Sequence, residues 1–182
     1  MGKSRGRHSV ERGGGALELI LEPIHEGDEE RFRSLAGEEH VLRFLPDMEM
    51  TAAYASRLAS HSRAAENFSP KEQMRLFGIY RGKELVGALT LGPVYEAGYR
   101  VTVGFFLGKA WLGRGIAGEA VKKALELAKE DEIQEVCALA ESENERSRKL
   151  LERIGFREET RLFTRRSGER EKRETVLYTY CL

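Results

Sequence analysis

Cysteine is scarce in this sequence: Cys137 and Cys181 are the only two in 182 residues. Both lie in apolar runs, so two buried thiols are expected rather than a disulfide. No Cys/His cluster has zinc-ligand spacing, and no metal is expected. Long apolar runs are missing as well. None approaches the roughly 18 residues that cross a bilayer, and no apolar stretch follows the basic N-terminus, so neither a membrane partner nor a secretory signal is expected. A charge of one sign is also absent, with Lys+Arg 30 and Asp+Glu 30. That balance speaks against a wholly basic nucleic-acid binder and against a strongly acidic tail protein. There is no internal repeat. These absences together point to a soluble, reducing, cytoplasmic setting.

A hydrophobic content of 41% is enough for one ordinary domain with its own core. Residues 1–15 hold Lys3, Arg5, Arg7 and Arg12 against Glu11, and end in Gly13-Gly14-Gly15. Nothing there can bury surface, so a flexible basic tail is expected, followed by a single domain over 16–182. A second basic cluster, Arg161, Arg165, Arg166, Arg170, Lys172 and Arg173, outweighs Glu169 and Glu171 around a turn at Ser167-Gly168. Neutrality is thus a sum of opposed patches on an acidic body. The basic hairpin offers a local contact for RNA or an acidic surface, a solvated hairpin being the simpler reading.

Periodicity gives the order β-α-α-β-β-β-α-β-α-β-β. Leu17, Leu19 and Leu21 alternate as a strand. Asp28 is placed to cap a helix through Ala36, and Thr51 one through Glu66 with Tyr54, Leu58 and Ala65 on its inner face. Asn67 to Pro70 breaks that helix. Met74–Tyr80 and Leu85–Leu91 form a hairpin through Arg81-Gly82-Lys83, ended by Gly92-Pro93. Tyr99–Leu107 is a strand, and Gly115–Lys129 a helix with the stripe Ala117, Val121, Ala124, Leu125 and Ala128. Val136–Ala140 is a buried strand. Ser142 and Glu145 have the form of a capping box for a helix that carries Leu150, Leu151 and Ile154 and stops at Gly155. Phe156–Phe163 and Glu174–Leu182 read as a last hairpin. The class is mixed α/β, with one βαβ crossover between antiparallel hairpins.

The densest signal is Trp111-Leu112-Gly113-Arg114-Gly115-Ile116-Ala117-Gly118. A glycine-rich turn entering a helix presents free N–H groups and the positive end of the helix dipole, which suits a phosphate. Gly113, Gly115 and Gly118 spell G-x-G-x-x-G, and Glu141 ends the next strand where a ribose-binding acid would sit, so a Rossmann-type dinucleotide site is one reading. Against it, Gly108 to Leu112 separate the glycines from their strand, the flanking hairpins are antiparallel, and the chain left after Glu141 is too short for a second half.

The loop also matches Gln/Arg-x-x-Gly-x-Gly/Ala, with Leu112 at the Gln/Arg position. Val103-Gly104-Phe105-Phe106-Leu107 precedes it as a strand. Asn144-Glu145-Arg146-Ser147 followed by Leu150-Leu151-Glu152-Arg153-Ile154-Gly155-Phe156 matches N-x-x-S…L-x-K/R-x-G-F. On these motifs, from Leu17 to Leu182, the sequence resembles the GNAT superfamily of N-acetyltransferases, most of all the RimJ/RimL-type branch that acetylates ribosomal-protein N-termini. The resemblance implies a mixed six- to seven-stranded sheet with about four helices. It implies acetyl-CoA as co-substrate, its pyrophosphate on the amides of Gly113, Arg114, Gly115, Ile116, Ala117 and Gly118, beside Leu112. It implies that the pantetheine arm enters a gap between the strands at 103–107 and 136–140, against Phe105, Phe106 and Leu107.

In such enzymes an amine attacks the thioester directly. The resemblance makes Ser147 the acid for the departing thiolate, since the tyrosine position of other branches is Leu151 here, and Asn144 an orienting residue. The strand glutamate that serves as base in many relatives is replaced by Thr102, which leaves Glu141 as the nearest titratable candidate. His25, His40 and His61 fall in the region that walls the acceptor site and read as surface histidines, while Tyr178 and Tyr180 read as sheet packing. The acceptor is a primary amine, a ribosomal or other protein N-terminus or a small molecule, and the enzyme a monomer or homodimer. The missing glutamate keeps a second reading in view, a non-catalytic coenzyme-A-binding module.

Overall fold

The computed structural model describes residues 18–65, 68–164 and 171–182. The expected tail, Leu17, Glu66, Asn67 and the turn residues 165–170 lie outside them.

The expected strands form where apolar residues alternate. β1 (Leu19–Glu22), β2 (Arg75–Arg81) and β3 (Glu84–Val94) make an antiparallel set, β2 and β3 turning at Gly82 with φ +60°. β3 does not end at Gly92-Pro93 as the pattern predicts. Pro93 pairs with Val101, while β2 begins only at Arg75 opposite Leu91, so the missing proline N–H faces no neighbouring strand.

Between β1 and β2 lie α1 (Glu29–Ala36), a short α2 (Glu39–Leu42) that no periodicity announces, and α3 (Ala52–Ala64). Thr51 caps α3 as expected, its Oγ1 accepting from Tyr54 N at 3.2 Å. The inner face of α3 is as expected at Ala65 and at Leu58, which packs half-buried against the core, but not at Tyr54. Ala55, Ala59 and Ser62 are buried, whereas Tyr54 is exposed. Small side chains let α3 lie close to β2, and the Ser62 hydroxyl bridges Ile24 N (3.1 Å) and Leu76 O (2.5 Å). Asp28 precedes α1 but makes no cap; its carboxylate accepts from the Tyr80 hydroxyl at 2.9 Å.

The second half comprises β4 (Arg100–Leu107), α4 (Ile116–Glu130), β5 (Glu135–Glu141), α5 (Glu145–Ile154), β6 (Arg157–Thr164) and β7 (Arg173–Cys181). The α4 stripe buries Val121, Ala124, Leu125 and Ala128 as expected, with Ala117 half-buried against the core and Ala120 buried beside them. The expected capping box does not form. Asn144 caps α5 through Oδ1 and Ser147 N at 3.2 Å, because the Ser142 hydroxyl is drawn across the sheet to Glu174. Gly155 ends α5 with φ +115°.

The seven strands lie in the order β1-β2-β3-β4-β5-β7-β6. Among the described residues only β4 and β5 pair in parallel. The last strand enters between β5 and β6, so β7 has two antiparallel partners. On one face α4 and α5 cover a core that includes Leu89, Leu91, Val103, Val136, Ala138 and Tyr178. On the other, α1 to α3 cover Tyr80, Leu85, Ala88 and Phe106. Cys137 and Leu177 pack on that second face with Ala97 from the β3–β4 turn.

The cysteines divide. Cys137 is buried and burial pushes its thiol up to about 11, whereas Cys181 is exposed at the end of β7, not buried as its apolar run suggests. Alkylation of the native protein at about pH 8 should therefore modify Cys181 alone, with Cys137 reacting after denaturation. Peptide mapping by mass spectrometry checks it; native labelling of Cys137 would contradict the burial.

Candidate active site

The site begins with an interruption in the sheet. The parallel β4–β5 ladder is reduced to one bridge, Thr102 with Cys137. Gly108 N donates to Val86 O at 2.9 Å. By two-residue alternation the backbone groups of Phe106 also turn toward β3, while those of Phe105 and Leu107 turn toward the β5 side. Past the single bridge that side has no ladder partner. Of the strand residues expected to meet the pantetheine arm, Phe105 and the Leu107 N–H thus present backbone groups without a ladder partner, the Leu107 carbonyl meets a side chain instead, and Phe106 has its backbone in the ladder and its ring buried under α1. A mid-sheet gap with unpaired N–H and C=O groups can accept an extended, amide-bearing chain as an extra strand.

The glycine turn opens at the mouth of this gap. Gly113 and Gly115 have φ +77° and +79°, and a Cβ on either would meet nothing within 4 Å. Both glycines therefore serve conformation and leave open space beside the turn. Glu119 N is the first amide of α4 to find a helical acceptor, Gly115 O at 3.1 Å, so the amides before it remain available. Gly118 differs: its Cβ would meet Leu150 Cδ1 at 3.5 Å, an ordinary van der Waals contact, so this glycine faces α5 and not open space. A groove between those helices is lined by Gly115, Gly118, Glu119, Lys122, Leu150, Arg153 and Ile154, with the Glu119 carboxylate paired to Arg81. Amides, dipole and two cations on one surface suit a polyphosphate. Leu112 and Trp111 pack against the core, and the Arg114 guanidinium stacks 5.0 Å above the Trp111 ring.

On α5, Ser147 lies half-buried one turn before Leu150 and Leu151, on the edge that turns toward α4 and the sheet. Asn144 is committed to the cap, its Oδ1 holding Ser147 N. Glu141 ends β5. Alternation from Cys137 and Leu139 places it on the α1–α3 face, opposite the groove between α4 and α5, with Arg173 Nη1 at 4.0 Å and little exposure. The Rossmann role for Glu141 therefore fails, and one parallel pair in a largely antiparallel sheet is not a dinucleotide fold.

The histidines also separate. His25 stacks on Tyr80 and pairs with Glu22, and His61 meets Gln73 at the surface. His40 is not a free surface residue: its Nε2 lies 2.8 Å from Leu107 O. That contact had no signal in the sequence, since 67 residues separate its partners. Tyr178 is fully buried, receives Arg148 Nε at 3.0 Å and donates to Glu152 at 3.0 Å. Burial raises the Tyr178 phenol above its ordinary range, and the Tyr178 oxygen in turn raises Arg148. Of the basic cluster, Arg161 pairs with Glu158 and Glu174, Arg173 faces Glu141, and Arg165, Arg166 and Arg170 lie outside the described residues.

Residues 18–157 match the acetyltransferase (GNAT) domain family. The chain belongs to that family and is a GNAT-family N-acetyltransferase. Over 147 residues it is 24% identical to the [ribosomal protein uS5]-alanine N-acetyltransferase of Escherichia coli, covering 78% of this chain and 76% of that one. YdaF of Bacillus subtilis, whose name places it among ribosomal N-acetyltransferases, is 32% identical over 83 residues, 45% of either chain, so the match spans about half the length of that relative. The fold is shared with the microcin C7 self-immunity acetyltransferase MccE, solved in complex with acetyl-CoA and AMP. That structure has a TM-score of 0.75 and 15% identity, over 91% of this chain and 93% of that chain.

Proposed function

We propose that this chain transfers the acetyl group of acetyl-CoA to the free amine of a peptide or protein N-terminus, with a ribosomal protein as the acceptor class. The observation that carries the reading is the unpaired β4–β5 gap opening beside the glycine turn of α4. The names of the relatives support the acceptor class.

The residues fit acetyl-CoA. The amides of residues 113–118 would take the pyrophosphate, with Lys122 and Arg153 beside it in the groove. The backbone edges of Phe105 and Leu107 would pair with the pantetheine amides. Bound acetyl-CoA supplies an activated thioester. The chain's part is to align the amine nitrogen with the thioester carbon, so that the C–N bond forms as the C–S bond breaks. Glu141 would receive the amine proton through water on the α1–α3 face, and Ser147 would donate a proton to the departing sulfur from the α5 side. A ribosomal acceptor would bring RNA phosphates to the 161–173 hairpin.

The test combines an acceptor panel with Ser147→Ala. Peptides with N-terminal alanine or serine, and spermidine as a small-amine control, are read by thiol release and mass spectrometry. The expected S147A result is a kcat loss of about 100-fold, the lower range for general acid catalysis, with the KM for acetyl-CoA within about twofold. An unchanged kcat would remove Ser147 from the chemistry. Absence of thiol release with every acceptor in the panel would favour a non-catalytic module.

A further inference from the structure

We propose that His40 is a positioning residue for acetyl-CoA, holding the end of β4 open as a docking edge. The proposal rests on the coenzyme reading above and adds to it a residue outside every motif. The Leu107 carbonyl turns toward the side where β5 no longer pairs. A strand carbonyl in that position either finds a partner or is drawn back into a ladder. His40 supplies the partner. A carbonyl only accepts, so Nε2–H is the donor of the 2.8 Å bond, and the ring reaches in from α2, whose Val41 is anchored in the core.

The contact belongs to a clamp. His40 Nδ1 lies 3.4 Å from Glu38 Oε2, and the same carboxylate oxygen accepts from Lys109 N at 2.7 Å. Glu38 Oε1 sits where a Cβ on Gly108 would come within 3.3 Å, and Leu35 Cδ2 within 2.4 Å, so the α1–α2 junction lies directly on Gly108. Three consecutive residues, Leu107, Gly108 and Lys109, are thereby tied to Glu38 and His40. They are the link between the strand edge that would meet the thioester arm and the loop that leads to Gly113 and Gly115. The carbonyl has a second lone pair, so one Leu107 oxygen can keep His40 and still accept from an amide in the gap.

The experiment measures coenzyme A binding by calorimetry and, separately, the KM for acetyl-CoA and kcat, in wild type, His40→Ala, His40→Gln and His40→Asn, with His61→Ala as a surface control. His40→Ala is expected to weaken coenzyme A binding and raise the KM for acetyl-CoA about tenfold, the value of one hydrogen bond at the upper end of its range, with kcat within about threefold. His40→Gln places an amide N–H near the former Nε2 and should restore binding, whereas the shorter His40→Asn should not. If His40→Ala does not fold, the Gln–Asn comparison decides, and equal affinities overturn the proposal. Unchanged affinity in His40→Ala overturns it, as does an equal loss in His40→Ala and His40→Gln. Wild-type protein that binds no coenzyme A overturns the coenzyme reading itself, and this inference with it.

Discussion

Gly115→Val is expected to eliminate measurable acetyl-CoA binding, a loss of more than about 100-fold, in a protein that still folds. Gly115 stands at φ +79°, immediately before α4, and a Cβ there points into open space. Nothing in the protein resists the new side chain, so the damage to the fold is confined to backbone strain of about 1–2 kcal/mol. Relief of that strain would swing the peptide planes whose N–H groups are proposed to hold the pyrophosphate, and the valine methyls would occupy the space in front of them. The measurement is the ligand-induced stabilisation. Wild-type protein at 100-fold excess of ligand over its dissociation constant should gain about 2.7 kcal/mol, and the variant close to nothing. Gly98→Val is the matched control. Gly98 has φ +68° and equally open surroundings, but lies in the β3–β4 turn at the other end of β4. It should lose similar stability and keep the ligand response. A normal response in Gly115→Val would place the phosphates elsewhere.

Gly87→Ala is expected to cost about 3 kcal/mol or more of stability, the upper range for overpacking, and to lower the melting temperature by several degrees. A Cβ at Gly87 would lie 2.2 Å from Phe106 O, 2.7 Å from Leu107 Cδ2 and 3.0 Å from Leu107 Cα. Two of those three atoms are backbone in the adjacent strand, so the conflict is relieved only by moving β3 and β4 apart. The strand end that moves carries the Leu107 edge, so acetyl-CoA affinity should fall too, although Gly87 itself lies on β3, away from the glycine turn. Denaturant unfolding with an unchanged m-value would read the loss as stability alone. Gly27→Ala separates strain from crowding: it has φ +94° with nothing within 4 Å, and should cost only about 1 kcal/mol. A midpoint for Gly87→Ala equal to that of Gly27→Ala would refute close approach of the two strands.

Much of the fold could be read before any coordinates. The alternation in β4, the stripe of α4 and the stop at Gly155 all appear where their spacing places them. The errors have tertiary causes. Ser142 and Asn144 compete to cap α5, and the choice fell to Asn144 because Glu174, 32 residues away, takes the serine. At Tyr54 the α3 stripe fails because close packing on β2 favours the small side chains of Ala55 and Ala59. Of the candidate site, the glycine turn and the strand before it were legible from spacing, and Ser147 from the resemblance. Lys122 and Arg153 were not legible, because a surface cation carries no mark of the groove it faces.

The sequence by itself determined the strands and every α-helix but α2, where the glycine turn sits, and that one parallel crossover lies among antiparallel hairpins. Each of these depends on residues within a few positions of one another, so side-chain periodicity and backbone preference record them. Only the tertiary structure decided that β7 enters between β5 and β6, that the β4–β5 ladder stops after one bridge, and that His40 reaches the carbonyl this leaves. Strand partners bond through backbone groups that nearly every residue type shares, over separations of tens of residues. Which edge is satisfied and which is left open for a ligand emerges only when the whole sheet is assembled.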